Sequence, residues 1–197
     1  MNKPVVVAVT KTFPFEIVQK AVSLGYTHIG ENRVEEAKKK IQLARQNDLK
    51  NICWHMIGHV QSRKVNDVVE LFDRVDSVDS VDLLEKLDTV AGKIGKKLHV
   101  LLEVNISGEI SKYGFDEIPK NLNYPNLIID GLMTMAPFVS NPEDNRNIFR
   151  ALKAVSASTA NIGNVLSMGT SCDYTVAIEE GATEVRLGEA LFGSRPK

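Results

Sequence analysis

A lysine near the amino terminus is the first residue whose type and surroundings could do chemistry. Lys11 lies just beyond the apolar run Val5–Val9. A lysine held in a partly apolar mouth near other cations loses proton affinity, and its amine can then form a Schiff base with an aldehyde. The alternative interpretation is a solvated surface lysine, one of 24 lysines and arginines in the chain.

Hydroxyl and glycine residues near the carboxyl terminus could bind a phosphate. Ser167, Gly169 and Ser171 lie in and just after one apolar run, and Gly188 and Glu189 follow the last one. Hydroxyls and the backbone amides of such loops are typical phosphate ligands. Together with Lys11, they predict a site for a phosphorylated ligand.

Arg186 lies inside the short apolar run that precedes this last loop. A guanidinium is costly to bury unless its hydrogen bonds are accepted. A carboxylate inside the fold is one possible partner for Arg186, and a ligand atom is the other.

Other motifs give less support for chemistry. His55 and His59 have the i, i+4 spacing of some zinc sites, but they straddle a predicted strand end and no third ligand is evident, so we predict no metal site. A GxSxG nucleophile turn is absent from the sequence. Cys172 has no nearby histidine in sequence, which indicates a small buried apolar residue.

The elements that must position these residues alternate between two periodicities. Short apolar, β-branched runs predict eight strands: Pro4–Val9, Thr27–Gly30, Trp54–Gly58, Arg74–Val78, His99–Asn105, Ile128–Met133, Asn164–Met168 and Glu184–Leu187. Amphipathic stretches predict the helices: Glu16–Leu24, Val34–Gln46, Val65–Phe72, Val81–Ile94, Glu143–Ala157 and Thr175–Glu180. In the second helix, Lys38, Lys39 and Lys40 fall largely outside the apolar face. Ser80 is predicted to cap the fourth helix.

Strict alternation of strand and helix predicts an α/β fold with a parallel sheet and crossover helices. Eight units favour a closed (β/α)8 TIM barrel. The alternative, an open doubly wound sheet, lacks its usual signatures because neither GxGxxG nor GxxxxGK[ST] occurs. No linker or change in composition divides the chain, so residues 1–197 are predicted to be a single domain. In such barrels the functional residues lie at the carboxyl ends of the strands, where all the candidates above fall.

The composition excludes several classes of protein. Apolar residues make up 43% of the 197 residues and the net charge is −1. This charge gives no field for binding nucleic acid or an anionic membrane, and we expect neither as a partner. No apolar run in the sequence approaches the ~18 residues of a membrane span. The two cysteines form no secreted framework, and we expect a cytoplasmic protein.

Five ordered motifs resemble those of the pyridoxal phosphate homeostasis proteins (YggS/PROSC), whose fold is similar to the N-terminal barrel of alanine racemase. The segments lie at both ends of the chain and between them: Ala8–Thr12, Gly30–Arg33, Trp54–Gln61, Ser167–Asp173 and Val185–Gly193. The resemblance implies a (β/α)8 barrel that binds pyridoxal 5′-phosphate (PLP).

The resemblance also assigns roles to residues. It implies that Lys11 carries PLP as an internal aldimine, and that Arg186 faces the pyridine nitrogen. Asn32 and His59 are implied to line the cofactor pocket. The phosphate is implied to be held by the hydroxyls and the loop backbone after strands seven and eight: Ser167, Gly169, Ser171, Gly188 and Glu189.

Two features depart from the family pattern. Glu189 stands where a small hydroxyl residue is frequent, so only its backbone amide is a credible phosphate ligand. A carboxylate there would repel phosphate if it pointed inward. The chain also begins almost at its first strand, where the family has a preceding helix.

The resemblance favours a non-catalytic PLP carrier that buffers, delivers or protects the cofactor. Its expected partners are PLP, related B6 vitamers and PLP-dependent apoenzymes, and we expect a monomer. Arginine at the pyridine nitrogen weakens the ring as an electron sink, and racemases, which tolerate this arginine, need a second base opposite the lysine. The domain that supplies a racemase with its second base is expected to be missing, because the chain ends soon after its eighth strand. Two alternatives stay open: a weak or specialised PLP-dependent amino-acid racemase, and a nucleotide- or sugar-phosphate-binding barrel without PLP.

Overall fold

Eight parallel strands close into a barrel in chain order, each paired with its sequence neighbours. A computed structural model describes residues 3–109 and 113–194. The strands are β1 Val5–Val9, β2 His28–Glu31, β3 Cys53–Met56, β4 Arg74–Val78, β5 Leu98–Glu103, β6 Leu127–Met133, β7 Val165–Thr170 and β8 Glu184–Leu187. The ring is closed by parallel pairing of β1 with β8. The predicted (β/α)8 barrel is therefore confirmed.

Helices follow most of the strands. They are α1 Phe15–Ser23, α2 Val34–Gln46, α3 Val65–Leu71, α4 Val81–Lys93, α5 Arg146–Ser158, α6 Tyr174–Glu179 and α7 Glu189–Phe192. Short 3₁₀ turns at Ser62–Lys64 and Pro142–Asn145 precede α3 and α5. Residues 1–2, 110–112 and 195–197 of the predicted domain lie outside the described residues. Within the described ranges, no helix is long and apolar enough to cross a membrane.

Local sequence explains where these elements begin and end. The Ser80 hydroxyl accepts a hydrogen bond from the Leu83 amide at 3.3 Å, which confirms the predicted cap of α4. The predicted third strand was too long, because β3 ends at Met56 rather than at Gly58. At Gly58 the chain leaves the sheet and packs on the backbone of Asn32, where a Cβ would lie 2.5 Å from the Asn32 carbonyl oxygen. The predicted fifth helix is split, because a 3₁₀ turn at Pro142–Asn145 precedes α5.

The apolar core lies between the barrel and its helices. Alternate strand residues such as Ile29, Met56 and Val75 pack in one buried cluster with Leu84 and Phe149 of the helices. This arrangement leaves the other face of each strand to line the inside of the barrel.

The inside of the barrel holds a buried ion network. Asp76 accepts a hydrogen bond from Arg74 Nε at 2.7 Å and contacts His55 Nδ1 at 3.1 Å. Arg74 also pairs with Glu184 of β8. Burial acts to raise the pKa of Asp76, but His55 and Arg74 hold it well below its usual range. These groups link β3, β4 and β8 across the barrel.

Candidate ligand-binding site

A cavity of about 520 Å³ opens at the carboxyl ends of the strands. Seven of the nine sequence-predicted site residues line it: Lys11, Asn32, His59, Ser171, Arg186, Gly188 and Glu189. They come from five different strand ends and are separated by up to 178 positions in the chain. The fold thus brings most of the predicted site together at one mouth.

Lys11 enters the cavity from the segment that follows β1. It is half-buried, as expected for an amine in a partly apolar mouth. Its neighbour Thr12 has a φ of +65°, a left-handed conformation that non-glycine residues seldom adopt. This turn must be held by contacts from elsewhere in the fold.

Those contacts come from α2. Lys40 Nζ donates to the Thr10 carbonyl at 2.7 Å and forms ion pairs with Glu31 and Glu36. The Thr12 amide in turn donates to Glu36 Oε1 at 2.6 Å. The backbone on both sides of Lys11 is therefore attached to one helix.

The expectation that Lys40 lies outside the apolar face was wrong. The residue is only 5% exposed, because its long side chain reaches under the end of β1. Glu31 is fully buried beside it, and burial raises the pKa of Glu31 although Lys40 acts to lower it. A helix periodicity cannot distinguish a solvated lysine from one that pairs with a buried carboxylate, so this contact was not predictable from the sequence.

Lys40→Met should destabilise the protein by about 3–5 kcal/mol, because it leaves the Glu31 charge buried without its partner. Chemical denaturation of purified wild type and variant measures the difference. Lys38→Met, on an exposed part of the same helix, is the matched control and should change stability by less than about 0.5 kcal/mol. The double variant Lys40→Met/Glu31→Gln should recover part of the loss. Equal stability of the Lys40 and Lys38 variants would contradict this account.

Arg186 is buried, and its terminal nitrogens are held by four acceptors. One donates to the carbonyl and hydroxyl oxygens of Ser167 at 2.9 and 2.7 Å. The other donates to the Thr134 carbonyl at 2.8 Å and contacts Met135 Sδ at 3.0 Å. None of these acceptors is a carboxylate. Burial lowers the pKa of Arg186, although nearby carboxylates act to raise it.

Arg186→Ala should lower the free energy of unfolding by about 1–3 kcal/mol, because buried oxygens of Ser167 and Thr134 lose their donor. Because Arg186 also lines the cavity, the variant should retain bound ligand less well. Thermal or chemical denaturation of the ligand-free protein and equilibrium dialysis measure the two effects. A variant with unchanged ligand affinity and reduced stability would assign Arg186 a structural role alone.

Ser171 lies where two loops meet at the mouth. Its hydroxyl accepts hydrogen bonds from the amides of Gly188 and Ala190 at 3.2 and 3.1 Å. The amide and the hydroxyl of Thr170 bind Asp173 instead. Two backbone amides and a hydroxyl therefore lie together at the loops where the sequence predicts a phosphate site.

Two predicted site residues lie behind the cavity wall. Ser167 is fully buried and its hydroxyl lies under Arg186. Gly169 has a φ of +91°, and a Cβ there would lie 2.6 Å from the Ala177 Cβ, so this glycine permits close packing against α6. Direct phosphate contacts by these two residues stay predictions.

His59 and Asn32 form the opposite side of the mouth. His59 Nδ1 contacts Asp79 Oδ2 at 2.8 Å, and its ring stacks on Tyr113 with centroids 3.9 Å apart. Asn32 Oδ1 is buried and has no hydrogen-bond partner among the described residues. Such an atom is costly to bury unless a ligand or solvent group reaches it.

The sequence missed several residues that line the cavity. Glu103, at the end of β5, is 8% exposed, and burial raises its pKa to about 7. Its position at a strand end was the signal that could have identified it. Val9 and Thr170 are the last residues of β1 and β7, and Ile57 follows β3. The remaining lining residues lie on loops without such a signal: Tyr113, Met135, Phe138 and Cys172.

The prediction that Cys172 is buried was wrong. The residue is exposed and lines the cavity. Its neighbour Asp173 is the buried one, because its carboxylate binds the side chain of Asn145 and the backbone of Thr170.

An amine, a buried guanidinium and a hydroxyl–amide cradle at the carboxyl ends of eight parallel strands define a ligand-binding (β/α)8 barrel. The model of the alanine racemase N-terminal domain family matches residues 1–196. A pyridoxal phosphate homeostasis protein from Aquifex aeolicus is 38% identical over 94% of this chain and 85% of its own length. The chain therefore belongs to the alanine racemase N-terminal domain family and, within it, to the pyridoxal phosphate homeostasis proteins, as the sequence motifs predicted.

Solved structures agree with this assignment. A structure of PipY from Synechococcus elongatus PCC7942, described as having PLP bound, is 34% identical and has a TM-score of 0.86. The alignment covers 95% of this chain and 92% of PipY. Alanine racemase from Clostridium difficile is 14% identical, with a TM-score of 0.77 over all of this chain and 54% of the racemase. This second likeness shows the shared fold alone.

Proposed function

We propose that this protein binds PLP at the cavity and serves PLP homeostasis by buffering, delivering or protecting the cofactor. The observation that carries the proposal is the convergence of Lys11, Arg186 and the Ser171 cradle on one cavity. The names of the relatives and the PLP-bound PipY structure support it.

The residues present fit the functional groups of PLP. The ligand carries an aldehyde, a phosphate and an aromatic ring with polar substituents, and the cavity offers an amine, a cradle of donors and a buried cation. Asn32 Oδ1, buried without a partner among the described residues, is available to a polar substituent of the ring. The cavity volume of about 520 Å³ lies in the usual range for small-molecule sites.

PLP supplies an aldehyde that condenses reversibly with amines and a ring that withdraws electrons. Lys11 would provide the amine that holds this aldehyde. Ser171 and the amides of Gly188 and Ala190 would hold the phosphate, and Ser167 acts through Arg186 by fixing its guanidinium. The Glu189 backbone lies beside the cradle. The residue is exposed, and its carboxylate would have to face solvent because it would otherwise repel the phosphate.

The ring nitrogen is the proposed acceptor for Arg186, and it would take the place of the weak acceptor Met135 Sδ at one terminal N–H. Arginine stays protonated in proteins and can only donate, so the ring nitrogen opposite it stays unprotonated. This weakens the ring as an electron sink. Racemases tolerate an arginine here but need a second base, so Arg186 together with a site that has one base supports a carrier rather than a catalyst. We further propose that residues 1–197 form one monomeric domain that delivers PLP to apoenzymes in the cytoplasm.

Spectroscopy of the purified full chain tests the proposal. PLP addition should produce an absorbance band near the visible edge, and borohydride should remove the band and add one reduced PLP to the peptide that contains Lys11. A protein that binds nucleotides or sugar phosphates but forms no band with PLP would instead support a phosphate-binding barrel of another class.

A further inference from the structure

A second group of side chains lies at the other end of the barrel, at the amino-terminal ends of β2 and β3. We call His28, Cys53 and His55 the lower cluster. His28 and Cys53 are register partners on the two strands, and Cys53 and His55 lie two positions apart on β3, so they share a face. One ligand atom of each residue, two imidazole nitrogens and the Cys53 sulfur, all lie within 4.8 Å of one another.

The lower cluster does not contain the His55–His59 pair that the i, i+4 spacing suggested. His59, which shares the i, i+4 spacing with His55, faces Asp79 at the cavity mouth. His55 is fully buried and points its Nε2 atom at His28 Nδ1, 2.8 Å away. The contribution of His28 was not apparent in the sequence, because it depends on the register of β2 against β3.

A carboxylate supports this arrangement from behind. Asp76 Oδ2 contacts the other ring nitrogen of His55, Nδ1, at 3.1 Å, and is itself held by Arg74. A histidine that binds a metal ion through one nitrogen usually donates its other N–H to a carboxylate, which fixes the ring and its tautomer. His55 already has this outer partner.

Solvent can reach the lower cluster. His28 and Cys53 are partly exposed, whereas His55 forms the buried end of the group. A second set of candidate ligands, His55 with Asp76 and Glu184, is fully buried, and Arg74 already pairs with both carboxylates. The lower cluster is therefore the set that a cation can enter without displacing a guanidinium.

We propose that the lower cluster binds a Zn²⁺ ion through His28 Nδ1, Cys53 Sγ and His55 Nε2. Zinc is bound in proteins by imidazole nitrogens and thiolate sulfurs, and sites with three protein ligands leave the fourth position to solvent. Tetrahedral zinc places its nitrogen and sulfur ligands roughly 3.3–3.6 Å apart. The two imidazole nitrogens need to separate by only about half an ångström to reach this geometry.

Binding of Zn²⁺ would release protons from Cys53 and from the imidazole pair. The Cys53 thiol loses its proton, the proton shared by the two imidazoles leaves to solvent, and His55 keeps the proton directed at Asp76. None of these residues takes part in the PLP site proposed above.

Metal titration of the full chain, expressed without a histidine tag and freed of metal by a chelator, tests the site. Zn²⁺ should bind with a stoichiometry of one per chain in competition with a chromophoric chelator. Co²⁺ should give a thiolate charge-transfer band together with intense ligand-field bands of a tetrahedral site. Cys53→Ser and His28→Gln should each weaken Zn²⁺ binding by at least about tenfold, and Cys53→Ser should abolish the charge-transfer band.

The chain offers matched controls. Cys172→Ser removes its other cysteine, and His99→Gln removes a half-exposed histidine that pairs with Asp130. Both variants should bind Zn²⁺ as wild type does. Because PLP itself can bind metal ions, the titration is repeated with Lys11→Ala.

The proposal is overturned if the wild-type protein does not bind Zn²⁺. It is also overturned if Cys53→Ser and His28→Gln bind Zn²⁺ as tightly as the wild type does. Cys53→Ser and His28→Gln should bind PLP as wild type does, which separates this test from that of the proposed function.

Discussion

Lys11→Ala is expected to abolish covalent attachment of PLP while the protein stays folded. The side chain lies at the cavity mouth, beyond the end of β1 and outside the apolar core, so its removal costs little packing. Only an amine in this position can hold the aldehyde next to the Ser171 cradle. The measurement is borohydride reduction of PLP-treated protein followed by mass spectrometry of the intact chain and its peptides.

Lys39→Ala is the control for this experiment. Lys39 is an exposed lysine that lines a neighbouring surface pocket together with Asn32 and His59. Its loss should leave the stoichiometry and the position of PLP unchanged. A Lys11→Ala protein that still carries stoichiometric covalent PLP after reduction would contradict the assignment of Lys11.

Amino-acid racemisation by this chain should be very slow or absent. Racemisation removes a proton from one side of the substrate and returns one to the other, and Lys11 serves one side only. A positioned general base contributes about 10²–10⁴-fold, so a proposed site in which Lys11 is the one dedicated base loses a comparable factor. Arg186 adds to this loss because it cannot give the ring nitrogen a proton.

Incubation of PLP-loaded protein with each common L-amino acid, followed by an assay for the D-enantiomer, measures this activity. Turnover in the ordinary enzyme range, roughly 1–10³ s⁻¹, would overturn the carrier proposal. The first residue to test would then be Tyr113, whose ring lies on His59 at the cavity mouth. Loss of such turnover in Tyr113→Phe would identify it as the second base.

The barrel was predictable because its signal is distributed along the whole chain. Eight apolar runs alternate with amphipathic stretches, and each run needs to be only approximately placed for the order to be read. The rule that functional residues follow the carboxyl ends of parallel strands then located Lys11, Ser171 and Gly188 at one mouth. Boundaries were less accurate where a tertiary contact ends a strand, as Gly58 shows by packing on Asn32.

The unpredicted residues depend on distances across the fold. Lys40 is buried only because Glu31 and the Thr10 carbonyl lie beneath it, and neither is adjacent to it in sequence. Tyr113 enters the cavity from a loop, which has no periodicity to fix its direction. The lower cluster requires the register of β2 against β3, which the sequence alone does not provide.

The attachment of Thr10 and Thr12 to α2 has a consequence for the dynamics of the lysine between them. The Thr12 amide is held by Glu36, and the Thr10 carbonyl by Lys40, so both ends of this turn depend on the same helix. Hydrogen exchange at Thr12 should therefore follow that of α2, as part of one cooperative unit. Local opening of this helix on the outside of the barrel should then release the backbone on both sides of Lys11.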